Sequence, residues 1–169
     1  LLWQDTAHGL KVQRVLLPRA SRPPDAQEHA CRAIVDLADD MSRFFQGTNV
    51  QFPLEILDLD SCSAFQRRVL VAESQIPHGK VSTYRLIAQH LGVDGGARAV
   101  GNALARNPFP ILIPCHRTVR TNGQLGGYRG GPEMKRALLA MEGIRFTPEG
   151  RVITEAFYYA SPKGRKPSC

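Results

Sequence analysis

The sequence predicts an α/β (α+β) chain: a small N-terminal strand-and-helix domain, then a mostly helical C-terminal domain containing a helix-turn-helix. Three observations carry this. An alternating apolar run near the front gives way to a long amphipathic stretch, two short helical patterns flank a glycine-rich turn, and a proline-bracketed run, ILIPCHR, leads to a last helix opening on Gly-Pro-Glu. A chain of 169 residues with 43% hydrophobic and 22% charged content has the composition of a globular protein with one substantial core or two small ones.

In order, GLKVQRVLLP alternates around Leu10, Val12 and Val15, which predicts a half-buried strand. The stretch RASRPPDA breaks it. From Ala26 to about Gln46, the apolar residues Ala30, Ile34, Leu37, Ala38, Met41 and Phe45 recur at three- and four-residue intervals, which predicts an amphipathic helix ending at Gly47. FPLEILDLD reads as a linker or edge strand. Ser63, with Gln66 three residues on, makes a capping box that opens a helix over residues 64–75.

Ser82 is the expected N-cap of a helix reaching about Leu91, followed by a turn through Gly92 to Gly95 and a helix from about Gly96 to Arg106. Asn107-Pro108 stops the second helix. Such a pair fits a helix-turn-helix, whose second helix commonly enters a DNA groove, and fits ordinary helical packing too. The second helix is rich in small residues (Ala97, Ala99, Gly101, Ala103, Ala105), permitting close approach to a core or another surface.

ILI then reads as a strand, and Pro110 and Pro114 should fix Cys115 at a strand-to-loop exit. TNG predicts a tight turn and GGYRGG a flexible loop. Gly131-Pro132-Glu133 opens the last helix, which ends at Gly143 and leaves Glu142 in its final turn. A carboxylate there meets the negative end of the helix dipole, costing about 0.3–1 kcal/mol. Glu142 is then either solvated or paired, with His116 the partner to consider.

The domains expected are 1–60, an α/β supporting domain; 61–150, a winged-helix-like catalytic and DNA-binding domain; and 151–169, an extension with a basic tail, SPKGRKPSC. No apolar run approaches the about 20 residues that span a bilayer, and the start lacks a secretory signal pattern, so an intracellular protein is expected. A net charge of +7 favours an anionic partner. The four cysteines show no CxxC spacing, and Cys31, His8 and His29 make no zinc pattern, so no metal and no cofactor are expected. By itself the Cys115-His116 pair is either a nucleophile with its base or a structural thiol beside two polar residues.

IPCHR, with GYRGG and LLAMEG after it and VSTYRLIA, ARAVGNAL and RNPFP before it, closely resembles the O6-alkylguanine-DNA alkyltransferases, also called methylated-DNA-protein-cysteine methyltransferases. The resemblance runs from about Phe65 to Gly143 and is loose over residues 1–60. It implies a single-turnover direct-reversal repair enzyme, moving an alkyl group irreversibly from O6 of guanine, and from O4 of thymine, onto Cys115. His116 would act as base through a water, Glu142 would hold that histidine, Asn107 would organise the preceding turn, and Tyr84 would rotate the phosphate and help protonate the leaving guanine. Arg98 would fill the vacancy of the flipped nucleotide. Gln66, Arg85 and Thr121 match further DNA-contacting positions, and Pro110, Gly126 and Tyr128 match pocket positions.

The implied partner is double-stranded DNA carrying O6-alkylguanine, bound through the minor groove by a monomer in the cytoplasm, on the chromosome, or in a nucleus. Two departures stand out. Arg129 occupies a position where the family often has serine, and Thr118 replaces a common valine, a change expected to matter little. Three rivals are weighed against this reading. They are a damage sensor with tryptophan for the acceptor, a regulator using the same helix pair, and a cysteine hydrolase that would turn over.

Overall fold

The computed structural model describes residues 1–7, 9–18, 21, 23, 24, 29 and 31–160; the His8 and basic-tail readings lie outside them. Strands β1 (Leu2–Thr6) and β2 (Gly9–Arg14) form an antiparallel hairpin. The expected alternation gives β2, with Val12 wholly buried. β1 has no such alternation, and only its pairing with β2 makes it a strand. FPLEILDLD does not form a strand: Leu57 alone bridges Val12 in parallel, where Val12 N–H donates to the Ile56 carbonyl at 2.7 Å.

Helix α1 (Arg32–Phe45) begins later among the described residues than the periodicity suggested, and residues 26–28 and 30 lie outside them. Its core face holds Ile34, Leu37 and Phe44. Phe45, assigned to that face from the sequence, is instead 48% exposed. The two phenylalanines flank the apolar stripe on opposite sides, and the side of Phe44 faces Phe52 and His116, with ring centroids 6.0 and 6.1 Å away.

Helix α2 (Ala64–Ser74) is capped by Ser63, whose hydroxyl accepts from Gln66 N–H at 3.3 Å. The reciprocal bond from Ser63 N–H to the Gln66 side-chain oxygen is absent because that side chain is turned towards the Ala103 and Arg106 carbonyls. After β3 (Ser82–Thr83) comes α3 (Tyr84–His90), whose N-cap is Thr83, not Ser82. Ser82 is committed to a strand that pairs in parallel with β4 (Thr118–Val119), and its hydroxyl donates to the Tyr158 carbonyl at 2.8 Å. Glycines 92 and 95, both with positive φ, turn the chain into α4 (Ala97–Ala105), which packs on α2 and α3.

The ILI run is not a strand. Asn107 Oδ1 accepts from Phe109 N–H, Pro110 bridges Ile113, and Ile111 sits at φ 76°, an unfavourable conformation for a β-branched residue. The chain then enters a 3-10 turn over Cys115–Arg117. Helix α5 (Gly131–Met141) follows, with Glu142 as C-cap, and the hairpin β5 (Arg145–Phe146) with β6 (Val152–Ile153) is the last strand pair before an irregular segment to residue 160. Strands and helices thus mix as an α/β fold, and the largest apolar cluster joins Val12, Ile34 and Leu57 from the front to Leu70, Ile87 and Val100 behind. Among the described residues no helix is long and apolar enough to cross a membrane.

Candidate active site

Cys115 is fixed from both sides of its turn. Its N–H donates to the Ile113 carbonyl at 2.8 Å, and Asn107 Nδ2 reaches both the Ile113 carbonyl and Sγ at 3.2 Å. Asn107 therefore ties the loop to the sulfur and presents a donor to it. Burial pushes the thiol up to about 11, against the opposing pull of that donor, so the resting sulfur carries its proton.

His116 is wholly buried, and its Nε2 lies 2.8 Å from Glu142 Oε1. Glu142 accepts further from Arg117, through Nε at 3.1 and 2.9 Å and Nη2 at 2.8 Å, and from Gly79 N–H at 3.4 Å. Arg117 Nη1 completes its own fork on the Ile76 carbonyl at 2.6 Å. Burial would raise the Glu142 carboxyl, but these donors overcome it and hold it at about 2. Burial also lowers the imidazole, countered in part by Glu142, so the ring is neutral at rest. With a carboxylate on Nε2, that nitrogen carries the hydrogen and Nδ1 is left as a lone pair. Among the described residues no group bonds Nδ1, and no hydrogen bond joins His116 to Sγ directly.

The misplaced charge at the end of α5 is thus compensated across the fold by Arg117, a residue to which sequence reasoning gave no role. Its place inside PCHR was the available signal; what it pairs with was not visible.

Cys115 lines a cleft of about 540 Å³ with Tyr84, Arg98, Gly101, Gly126, Tyr128 and Arg129. That size suits a planar base. α4 forms one wall, with Arg98 exposed near its start and Gly101 facing the Tyr84 ring, where a Cβ would make an ordinary contact at 3.7 Å. At Gly126, φ is +70° and a Cβ would fall 2.8 Å from the Tyr84 hydroxyl, so only glycine admits the phenol at that depth. Arg129 Nη2 reaches the Ala105 carbonyl at 3.4 Å.

The remaining sequence-assigned residues lie elsewhere. Pro110 is buried in the turn and does not line the cleft. Gln66 Nε2 donates to the Ala103 and Arg106 carbonyls at 3.2 and 3.1 Å, capping the C-terminal end of α4, where helix carbonyls lack intrahelical partners. Arg85 and Thr121 are exposed on α3 and in the 120–124 turn. Thr118, whose exchange for valine seemed minor, donates its hydroxyl to the wholly buried Glu73 at 2.6 Å. Its carbonyl accepts from Lys135 Nζ, also buried, at 2.6 Å. Among the described residues no group of three metal-ligating side chains forms.

Residues 64–144 match the family model described as 6-O-methylguanine DNA methyltransferase, DNA binding domain. The methylated-DNA-protein-cysteine methyltransferase of Methanothermobacter thermautotrophicus is 46% identical over 112 residues, 66% of this chain and 62% of that protein. Its counterpart in Mycobacterium tuberculosis is 44% identical over 107 residues, 63% and 64% of the two chains. The chain therefore spans somewhat under two thirds of these curated relatives. In structure it is similar to Mycobacterium tuberculosis OGT in complex with DNA, at 31% identity and TM-score 0.69, over 83% of this chain and 90% of that one. It is also similar to the O6-methylguanine-DNA methyltransferase of Pyrococcus kodakaraensis, at 29% identity and TM-score 0.60, over 75% and 70%.

Proposed function

Because the chain belongs to the O6-methylguanine-DNA methyltransferase family, we propose that it repairs alkylated DNA by moving an alkyl group from O6 of guanine, and from O4 of thymine, to Cys115 Sγ in one irreversible turnover. The observation that carries the reading is a thiol lining the cleft, next in the chain to an imidazole whose Nε2 meets Glu142 and whose Nδ1 is buried without a hydrogen-bond partner among the described residues.

A water between Nδ1 and Sγ takes the thiol proton, and Glu142 with Arg117 stabilises the resulting imidazolium. The Asn107 amide steadies the sulfur anion. The anion then attacks the alkyl carbon: an S–C bond forms, the C–O6 bond breaks, and the purine leaves with the electron pair. Tyr84, at the mouth of α3, supplies a proton to that purine and recovers one from the imidazolium through solvent, so the thiol proton ends on guanine. A thioether is too stable to be reversed here, which makes the protein its own acceptor.

The lesion must leave the duplex to meet the cleft. The small-residue face of α4 fits the minor groove, and Arg98 fills the vacated stack. Arg85 and Thr121 are placed to meet phosphates. The Gln66 amide is engaged by α4, so its contribution is to hold the reading helix. Tyr128 and Gly126 flank the extruded base, and Arg129 sits at the rim.

Mass spectrometry after exposure to methylguanine DNA should place one methyl on the peptide carrying Cys115, with product never exceeding protein. Label elsewhere, or turnover, sinks the reading; turnover would favour a hydrolase. Arg98→Ala should slow repair of duplex DNA far more than reaction with free O6-benzylguanine, and equal losses would remove the extrusion role.

A further inference from the structure

A second buried charge system lies behind the cleft, built from three elements. Glu73 on α2 and Lys135 on α5 are both wholly buried, and Thr118 on β4 joins them, its hydroxyl on Glu73 Oε2 and its carbonyl on Lys135 Nζ, each at 2.6 Å. Lys135 also donates to the Gly127 carbonyl at 3.3 Å and stands 5.9 Å from the centre of the Tyr84 ring. Glu73 Oε1 has no hydrogen-bond partner among the described residues. A sealed carboxyl with a single neutral donor is a group that gains or loses its charge readily.

We infer that Glu73 is a modulating charge for the acceptor thiol: neutral, it lets Cys115 ionise, and charged, it holds the proton on the sulfur. The charged and ionisable groups around it are Lys135 from α5, Arg117 and Cys115 from the 3-10 turn, Tyr84 from α3, and Tyr159 from the C-terminal segment; α4, though packed on α2, adds none to those acting on it. A negative Glu73 opposes negative charge on Cys115 and on Tyr84, whereas Lys135, whose ammonium burial lowers to about 8 against the pull of Cys115 and Glu73, favours the thiolate while it keeps its charge. Burial raises the Glu73 carboxyl to about 7, with Thr118, Lys135 and Arg117 pulling the other way, so its charge changes in the working range. Thr118 thereby acquires a function that valine cannot supply, since only a hydroxyl donor favours the charged form.

The rate consequence rests on the alkyl-transfer reading above, but the charge itself does not, and two readouts separate them. Infrared difference spectra of the whole protein between pH 5.5 and 8.5 should show a protonated-carboxyl band that is lost near neutrality, absent in Glu73→Gln, and moved to higher pH in Thr118→Val. A band unchanged in Glu73→Gln overturns the inference whether or not the protein transfers alkyl groups. Single-turnover transfer from O6-benzylguanine should then coincide for wild type and Glu73→Gln at pH 5.5 and diverge above neutrality. At pH 7.5, above the Glu73 titration and below that of Lys135, the variant should be about threefold faster, the equivalent of half a unit in thiol pKa. A uniform change at every pH would mark a structural role and overturn it. No transfer by wild type, with the band present, sinks the repair reading and the coupling to rate, and leaves the buried charge standing.

Discussion

Glu142 and Glu73 are carboxylates sealed within one fold; burial pushes both carboxyls up, yet they end on opposite sides of the ordinary value. Glu142 collects a guanidinium fork, an imidazole N–H and a backbone N–H, and its carboxyl falls to about 2. Glu73 collects one hydroxyl, and its carboxyl rises to about 7. Desolvation is present in both; the number and charge of the donors decides which carboxylate stays ionised. Permanent charge suits a group that holds a histidine, and conditional charge suits one that modulates a thiol.

The largest effect should come from stripping Glu142 of its cation. Arg117→Ala leaves a buried carboxylate without its cation, and urea denaturation at pH 7 should show a loss of about 3–5 kcal/mol. Arg117→Lys should recover only part, since a lysine cannot form the fork. Next is Glu142→Gln, which keeps the shape and loses the charge that orients His116. Benzylguanine transfer should fall by about a hundredfold or more, with Cys115 still present by mass. The Glu142 carboxyl titrates near 2 when folded and near 4.3 when unfolded, so its stabilisation is full above about pH 5 and is lost as pH falls towards 2.

For Glu73 the sign reverses. The folded carboxyl titrates near 7, above its unfolded value of about 4.3, so stability falls as pH rises from about 4 to 7 and stays lower beyond. Glu73→Gln should therefore be more stable by about 1–3 kcal/mol at pH 8 and no different at pH 4. The smallest effect is that of Thr118→Val, which removes the hydroxyl donor to Glu73 Oε2 and should destabilise by about 1 kcal/mol at pH 8 and less at pH 5.5. Equal responses of the two carboxyls to pH would dissolve the comparison.

Much of the local architecture was legible in the residues. The Ser63 cap, the glycine turn between α3 and α4, and the ending of α5 at Glu142 all follow from groups within four positions of each other. The misreadings share a cause. ILI looked like a strand because apolar periodicity cannot register that Asn107 bends the backbone beneath it and holds Ile111 at positive φ. Ser82 looked like a cap because its sheet partner, Thr118, is 36 positions away. Phe45 looked buried because the stripe has two flanks and only packing selects one.

By itself the sequence determined which helices form, where they stop, and that a thiol and an imidazole stand side by side after a proline, because propensity, capping and adjacency act over short stretches of chain. Only the tertiary structure decided that Arg117 answers Glu142, that Gln66 caps α4, and that Glu73 lies sealed beneath Thr118 beside Lys135. Those outcomes depend on desolvation and on charges meeting across 17 to 45 positions, and the free energy of such a pair exists only once packing has excluded water from it.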